Sequence, residues 1–192
     1  MEIRAWDERY RTAARPREDL EAAPVPLLVR TANDLSPGRA LDLACGAGRN
    51  ALWLASWGWT VTAVDGSAIA IDILRQRAAE KNLRIDCRVA DLEKAEFQIE
   101  PASWDLIVIA YYLQLDLIEA AKQGLKPRGV LLVIVHIAEP GEQPTAHRLR
   151  PGELIRRFEG WEILHTFEGQ PDDEAHRSAV AEVVARRPDG IL

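Results

Sequence analysis

The sequence is poor in cysteine and in long apolar runs and has no excess of positive charge, and each shortage excludes a class of protein. Its 192 residues include two cysteines, Cys45 and Cys87, which lie far apart and have no Cys or His neighbour at metal-ligand spacing. This pattern excludes a disulfide scaffold and a thiolate zinc site. The formal charge of −6 argues against a protein that binds nucleic acid through bulk charge.

Apolar runs are too short for a signal core or a membrane span. Met1 to Arg11 is rich in charge, and the longest apolar run, Val130 to Val135, falls far below the roughly 20 residues that a bilayer needs. Hydrophobic residues still make up 47% of the chain, which suits one ordinary globular domain. We therefore expect a soluble cytoplasmic protein, a monomer or homodimer, with no metal and with no nucleic-acid or membrane partner.

The first 38 residues differ from the remainder, because they combine charge and aromatic residues with scattered prolines. Trp6 and Tyr10 stand in the charged stretch, and exposed aromatic rings need an apolar partner. We expect residues 1–38 to form a helical extension that closes as a lid on a main domain, residues 39–192.

Apolar, partly β-branched runs alternate with helical patterns from Arg39 onward. Five runs are predicted to be strands: Ala40–Leu43, Thr60–Val64, Arg84–Ala90, Asp105–Ala110 and Val130–Ile137. Strand–helix alternation implies right-handed crossovers and a doubly wound, Rossmann-like parallel sheet. Two further predicted strands, Trp161–Phe167 and Ser178–Arg186, lack a helix between them, so a hairpin there makes one of them antiparallel. The expected fold is α/β, with a mostly parallel sheet of seven strands.

The strongest motif is a glycine-rich turn directly after the first strand. Gly46 and Gly48 stand between that strand and a helix predicted to begin at Arg49. Glycine lets a ligand approach the backbone closely, and the start of a helix offers free N–H groups. Taken alone, the spacing also satisfies the dinucleotide-binding fingerprint.

Acidic residues at the ends of three strands distinguish between two kinds of ligand, a pyrophosphate-containing dinucleotide and a cationic cofactor. Asp42 lies four residues before Gly46, where a carboxylate in a low dielectric disfavours a pyrophosphate. S-adenosylmethionine carries an ammonium and a sulfonium, which a carboxylate favours. Asp65 ends the second strand, at the position that accepts hydrogen bonds from ribose hydroxyls, and Asp91 follows the third strand, where it can accept from an adenine amine. A nicotinamide-dependent oxidoreductase and a non-catalytic S-adenosylmethionine-binding domain stay open as alternatives.

Several segments resemble a known family. Leu41 to Asp65 resembles the first two motifs of class I S-adenosylmethionine-dependent methyltransferases. Cys45 to Asn50 is similar to a narrower group, the tellurite-resistance and thiopurine-type methyltransferases, and Trp6 to Tyr10 resembles the N-terminal signature of that group. Arg150 to Leu154 resembles its C-terminal part. One departure is Ala44, where the broad pattern has glycine.

The resemblance implies a cofactor site made from the ends of the strands. The residues that it assigns to S-adenosylmethionine are Tyr10, Asp42, Gly46, Gly48, Arg49, Asp65, Gly66, Asp91, Leu92 and Ala110. Within this set, Asp42 and the glycine turn would surround the methionine part, Asp65 would hold the ribose, and Asp91 with Leu92 would flank the adenine.

On the acceptor side, the candidate catalytic residues are Tyr111, His136 and His147. The resemblance implies methyl transfer to a small soft nucleophile, a thiol or a reduced selenium or tellurium species, with S-adenosylhomocysteine as the product. A thiol needs no strong base, because a few per cent of it is thiolate at neutral pH, and no lysine or acid pair stands out near the fourth strand. The alternative is a small O- or N-acceptor that His136 or His147 deprotonates.

Overall fold

A mixed seven-stranded sheet forms the centre of the computed structural model, which describes residues 3–12, 23–139, 141–143 and 145–190. The strands of this described part are β1 (Arg39–Leu43), β2 (Thr60–Asp65), β3 (Ile85–Val89), β4 (Trp104–Ala110), β5 (Leu125–His136), β6 (Glu162–Gly169) and β7 (Val180–Arg186). Their order is β3-β2-β1-β4-β5-β7-β6. β7 pairs antiparallel with β5 and with β6, whereas β1–β2, β2–β3 and β4–β5 are parallel. The predicted fold, including its single antiparallel strand, is confirmed.

Helices alternate with these strands as the sequence predicts. Those of the described part are α1 (Ile3–Arg11), α2 (Pro26–Asn33), α3 (Arg49–Ser56), α4 (Ala68–Glu80), α5 (Leu115–Gly124) and α6 (Glu153–Arg156), with a 3₁₀ turn at Leu92–Lys94. Ser67 caps α4, since its Oγ accepts a hydrogen bond from the N–H of Ala70 at 3.1 Å. β5 begins at Leu125 rather than near Val130, because the chain passes from α5 directly into pairing with Trp104 of β4. None of these helices is long and apolar enough to cross a membrane.

Burial explains why the fourth and fifth strands read as continuous apolar runs. Leu106–Ile109 of β4 and Val130–Val135 of β5 are completely buried. Strands of a parallel sheet that are covered on both faces lose the alternation of polar and apolar residues. Each such aliphatic side chain contributes about 1.5–3 kcal/mol when it is fully buried.

The chain divides into two compact units, Met1–Gln98 and Ile99–Leu192. The first contains β1–β3 and α1–α4, and the second contains β4–β7, α5 and α6. The helices α1 and α2, which fall in the expected N-terminal extension, therefore belong to the same unit as the glycine-rich turn. Residues 13–22 of that extension lie outside the described part of the chain.

Candidate functional site

The turn between β1 and α3 requires glycine for reasons of space as well as backbone. Gly46 and Gly48 have φ values of +54° and +81°, in the left-handed region that favours glycine. A Cβ at Gly48 would lie 2.2 Å from Cδ1 of Leu74 on α4, and a Cβ at Gly46 would lie 2.6 Å from Oη of Tyr10. Side chains of α1 and α4 therefore leave no room for a Cβ at Gly46 or at Gly48.

Ala44, where the broad family pattern has glycine, adopts a left-handed backbone conformation that favours glycine. Its φ is +54°, which costs an L-residue about 1–2 kcal/mol.

Two polar side chains fix the turn from outside it. Arg77 Nη1 of α4 donates a hydrogen bond to the carbonyl of Ala47 at 2.9 Å. Asn50, at the start of α3, accepts from the N–H of Val25 through its Oδ1 at 3.0 Å, in a buried contact. Sequence reasoning missed both residues, because their partners lie 30 and 25 positions away.

Asp65 connects the end of β2 to the turn. Its Oδ2 accepts from the N–H of Gly46 at 2.8 Å, and its Oδ1 accepts from the N–H of Ser67 at 2.8 Å. Burial raises the pKa of this carboxyl, the two backbone N–H groups oppose the rise, and the Asp7 carboxylate adds to it. Each oxygen of a carboxylate has two lone pairs, so these backbone bonds leave acceptor capacity for a hydroxyl-bearing ligand.

Asp42 is the buried acid of the site. Its residue is 1% exposed, and within the described part of the chain its Oδ2 has no hydrogen-bond partner. Burial raises the pKa of Asp42 to about 7; the N–H of Ala51 opposes this rise, while the nearby Asp65 carboxylate adds to it. A buried oxygen without a partner is costly, so Asp42 marks a position that a donor or a cation would satisfy.

The raised pKa predicts that Asp42 makes the protein less stable as pH rises. In the unfolded chain an aspartate ionises near its usual pKa of about 3.9. Between about pH 4 and 7 the folded protein thus holds a proton that the unfolded chain has released, and the free energy of unfolding falls with pH. The slope from this one group approaches 1.4 kcal/mol per pH unit, to order of magnitude.

Urea denaturation of wild type and Asp42→Asn at several pH values between about 5 and 8 measures this slope. Asparagine does not ionise, so the variant should show a flatter dependence of the free energy of unfolding on pH. The pKa of Asp65 is also raised, so Asp65 contributes to the slope in both proteins. The role of Asp42 is therefore measured by the difference between the two slopes. Equal slopes would show that Asp42 is already ionised in the folded protein.

Cys45 lies in the same turn, close to two of the acids. Burial raises the pKa of its thiol well above the usual range, and the carboxylates of Asp42 and Asp65 add to the rise. The thiolate is the form of cysteine that attacks or binds a metal, so a raised pKa disfavours both roles for Cys45.

Asp91 and Leu92 follow β3, next to the end of β2. The N–H of Ala90 donates to the carbonyl of Asp65 at 3.0 Å, which joins the ends of these two strands. Lys94 pairs with Asp91 at 2.8 Å, and its hydrogen bond lowers the pKa of that carboxyl. Leu92 is buried. The sheet therefore brings Asp91 to the same edge as Asp65, as the sequence predicts for consecutive parallel strands.

Helix α1 contacts the turn and the end of β2. Asp7 Oδ1 accepts from Ser67 Oγ at 2.6 Å, and a Cβ at Gly66 would lie 2.9 Å from Cδ1 of Ile3. Together with the contact between Tyr10 and Gly46, these place one face of α1 on the residues assigned to the cofactor. Trp6 stays 38% exposed, with the Arg9 guanidinium 4.7 Å from its ring centroid.

In the second unit, four side chains form a compact cluster beyond Ala110, the last residue of β4. The ring of Tyr111 stacks on His176 with centroids 3.4 Å apart and an interplanar angle of 5°. Tyr111 Oη donates to Oδ2 of Asp173 at 2.8 Å. The His136 ring centroid lies 5.7 Å from both other rings. Sequence reasoning identified Tyr111 and His136 but missed Asp173 and His176, because the loop between β6 and β7 carries no motif.

His136, the last residue of β5, is oriented by the backbone. The carbonyl of Ala179 accepts a hydrogen bond from its ring, while its Nδ1 is buried and has no partner in the described part of the chain. This assigns the proton of the neutral ring to Nε2 and leaves a lone pair on Nδ1. Burial lowers the pKa of His136, and the nearby Arg148 adds to the decrease. The ring is thus held as a neutral imidazole.

His147 lies exposed in the loop after β5. Its backbone N–H donates to Thr145 Oγ1 at 3.2 Å. Of the three residues predicted to be catalytic, the structure thus groups Tyr111 with His136 and places His147 on an exposed loop.

The strand order, the glycine-rich turn and the acid at the end of β2 define the class I S-adenosylmethionine-dependent methyltransferase fold. A family model described as tellurite resistance protein TehB matches residues 21–179. The chain belongs to this TehB family.

Relatives of known sequence or structure agree with this assignment. The chain is similar to a probable S-adenosyl-L-methionine-dependent methyltransferase TehB of Haemophilus influenzae, with 25% identity over 183 residues, 90% of this chain and 59% of that protein. The crystal structure of TehB from Haemophilus influenzae has a TM-score of 0.73 and 25% identity, over 95% of this chain and 65% of that one. A ubiquinone biosynthesis O-methyltransferase of Actinobacillus pleuropneumoniae is 32% identical over 108 residues, 52% of this chain and 46% of that protein. The chain thus spans about half to three fifths of the length of these curated relatives.

Proposed function

We propose that this protein transfers a methyl group from S-adenosylmethionine to a small-molecule acceptor. The observation that carries the proposal is the buried Asp42, whose Oδ2 has no partner in the described part of the chain, beside a turn in which Gly46 and Gly48 have no room for a Cβ. A cationic ligand that can approach the backbone fits this combination, whereas a pyrophosphate does not.

The residues of the first unit suit the separate parts of this cofactor. Asp42, Arg49 and the glycine turn would hold its amino-acid end, Asp65 and Gly66 its ribose, and Asp91 with Leu92 its adenine. When bound, the cofactor supplies an electrophilic methyl group on a positively charged sulfur. The protein's part is to hold the acceptor in line and to exclude water.

Isothermal titration calorimetry with S-adenosylhomocysteine tests the cofactor assignment. Asp65→Ala should weaken binding about tenfold to a hundredfold, since a charge-assisted hydrogen bond contributes about 1.5–3 kcal/mol. The variant should also be less stable, because Asp65 binds the N–H groups of Gly46 and Ser67, so titrations are run well below its unfolding midpoint.

Asp72→Ala on the exposed side of α4 is the matched control and should bind as wild type does, because Asp72 pairs with Arg75 and is 72% exposed. Wild type that fails to bind S-adenosylhomocysteine below millimolar concentration contradicts the proposed function. Unchanged affinity in Asp65→Ala contradicts only the role of that residue.

A small soft nucleophile, a thiol or a reduced selenium or tellurium species, is the acceptor that we favour. Two observations support it: the family is that of tellurite resistance protein TehB, and the cluster around Tyr111 contains no lysine. Such an acceptor attacks without a strong base. The reaction would therefore not require the neutral, partly buried His136 to take a proton.

An O- or N-acceptor is the second candidate, and one observation favours it. His136 presents a buried Nδ1 lone pair while its other nitrogen is fixed by a backbone carbonyl. A histidine can act as a general base in this tautomer, which the hydrogen bond to the Ala179 carbonyl sets. Similarity to ubiquinone biosynthesis O-methyltransferases is consistent with it.

We also propose that α1 acts as the lid expected from the sequence. Tyr10 and Asp7 hold the helix on Gly46 and Ser67. Deletion of residues 1–18 should leave a folded protein, because β1 begins at Arg39, and should lower methyl transfer more than affinity for S-adenosylhomocysteine. Asp7→Asn weakens one contact of the same helix and should show a smaller effect in the same direction. Full turnover in the truncated protein would contradict the lid.

A further inference from the structure

We propose that Asp173 is a positioning residue that holds Tyr111 in place, so that the Tyr111 phenol meets the methyl acceptor as a hydrogen-bond acceptor. The inference rests on the proposed function and adds to it a residue of the β6–β7 loop that no motif identifies.

Tyr111 has a strained backbone that the surrounding contacts must maintain. Its φ is +62°, which is uncommon for a residue other than glycine and a true outlier for a bulky one. The N–H of Tyr111 donates to the carbonyl of Ile134 at 2.7 Å, which anchors the residue to β5. Strain of this kind persists where the neighbouring structure determines the conformation, and it concentrates at functional sites.

The β6–β7 loop supplies the contacts that fix the side chain. Asp173 is 6% exposed, although it is an acid on a loop, and its Oδ2 accepts the hydrogen of the Tyr111 phenol. Its Oδ1 accepts from the N–H of Ala175 at 3.1 Å, and its carbonyl accepts from the N–H of His176 at 2.9 Å. One residue therefore holds the phenol and also orders the segment that carries the stacked His176 ring.

The direction of this hydrogen bond determines whether the Tyr111 phenol donates or accepts a hydrogen bond when it meets a substrate. A phenol has one hydrogen, and here Asp173 accepts it. Toward any other partner, the Tyr111 oxygen acts as an acceptor. It therefore suits a thiol, selenol, hydroxyl or amine that binds with its hydrogen still in place.

Tyrosine ring signals in NMR test the contact without any acceptor. The chain has three tyrosines, so ring-¹³C-labelled tyrosine gives few signals, and Tyr111→Phe assigns the one of interest. Asp173→Ala should shift the Tyr111 signal, because the ring loses its hydrogen bond and its stacking on His176. Glu174→Gln, an exposed change in the same loop, is the matched control and should leave the signal in place. An unshifted Tyr111 signal in Asp173→Ala overturns the proposal.

Kinetics then separate positioning from a purely structural role. Using 2-mercaptoethanol or catechol, whichever wild type methylates, Asp173→Ala should lower kcat/KM about tenfold, mainly through a higher KM for the acceptor. Asp173→Asn keeps an oxygen that can accept from the phenol and should restore most of this loss. Affinity for S-adenosylhomocysteine should stay within about twofold of wild type in both variants.

A double-mutant cycle with Tyr111→Phe completes the test. If Asp173 acts through the phenol, Asp173→Ala should cause little further loss in the Tyr111→Phe background. A full tenfold loss in that background overturns the proposal, as does a large fall in affinity for S-adenosylhomocysteine. A wild-type protein that binds S-adenosylhomocysteine but methylates neither compound contradicts the acceptor class of the proposed function, and the NMR comparison then decides for or against the pair by itself.

Discussion

His136→Gln should lower methyl transfer to a hydroxyl acceptor such as catechol by a factor of about 10²–10⁴, the range typical of a lost general base. The same variant should lower transfer to a thiol such as 2-mercaptoethanol by less than about tenfold, because a thiolate attacks without a base. The contrast arises from the Nδ1 lone pair of His136, which is buried and fixed in orientation by the Ala179 carbonyl. Release of S-adenosylhomocysteine is the readout for both acceptors.

The His147→Gln variant and the variant with both histidines changed to glutamine are measured with the same two acceptors. Since His147 lies exposed on its loop, we expect the larger loss at His136. Activity confined to hydroxyl or amine acceptors and abolished by these changes would refute the soft-nucleophile acceptor. A thiol activity that survives them would confirm that no histidine base is required.

Gly48→Ala should destabilise the protein by about 2–5 kcal/mol. Two causes add: a left-handed backbone costs an alanine about 1–2 kcal/mol, and overpacking a buried contact costs about 1–3 kcal/mol. The contact is the one with Leu74, whose Cδ1 would lie 2.2 Å from the new Cβ, and Leu74 is completely buried. Chemical denaturation measures the change in the free energy of unfolding.

Gly58→Ala is a matched control for the backbone alone. Gly58 has a φ of +87°, and a Cβ there would meet no atom within 4 Å, so its alanine variant should lose only the strain of about 1–2 kcal/mol. Leu74→Ala in the Gly48→Ala background should cost less than the sum of the two single changes, because it removes the clash. Equal losses for Gly48→Ala and Gly58→Ala would show that the turn moves away from Leu74 at no cost.

Local rules predicted the elements of the fold well. The apolar runs of β4 and β5 and the hairpin of β6 and β7 depend on residues close in sequence. The strand ends and the order of the acids Asp42, Asp65 and Asp91 follow from the same pattern. Element boundaries were less accurate, as at β5, because the junction with α5 depends on pairing with a distant strand.

Contacts between distant residues were not predictable from any local pattern. Arg77 reaches the carbonyl of Ala47 across 30 positions, and Asp173 reaches Tyr111 across 62. An arginine on a helix or an aspartate in a polar loop has the same kind of local sequence whether it makes such a contact or only faces solvent. Their partners are set by how helix and loop pack on the strands.

The sequence by itself determined the α/β fold, the glycine turn and the acids that follow the strands, because periodicity and turn chemistry are properties of neighbouring residues. Tertiary structure alone decided that Asp42 is buried and that His136 is a neutral imidazole, with no partner for Asp42 Oδ2 or His136 Nδ1 among the described residues, and that Tyr111 stacks on His176. Burial, pKa and ring stacking depend on which atoms surround a group, and in these three cases those atoms come from segments far apart in the chain.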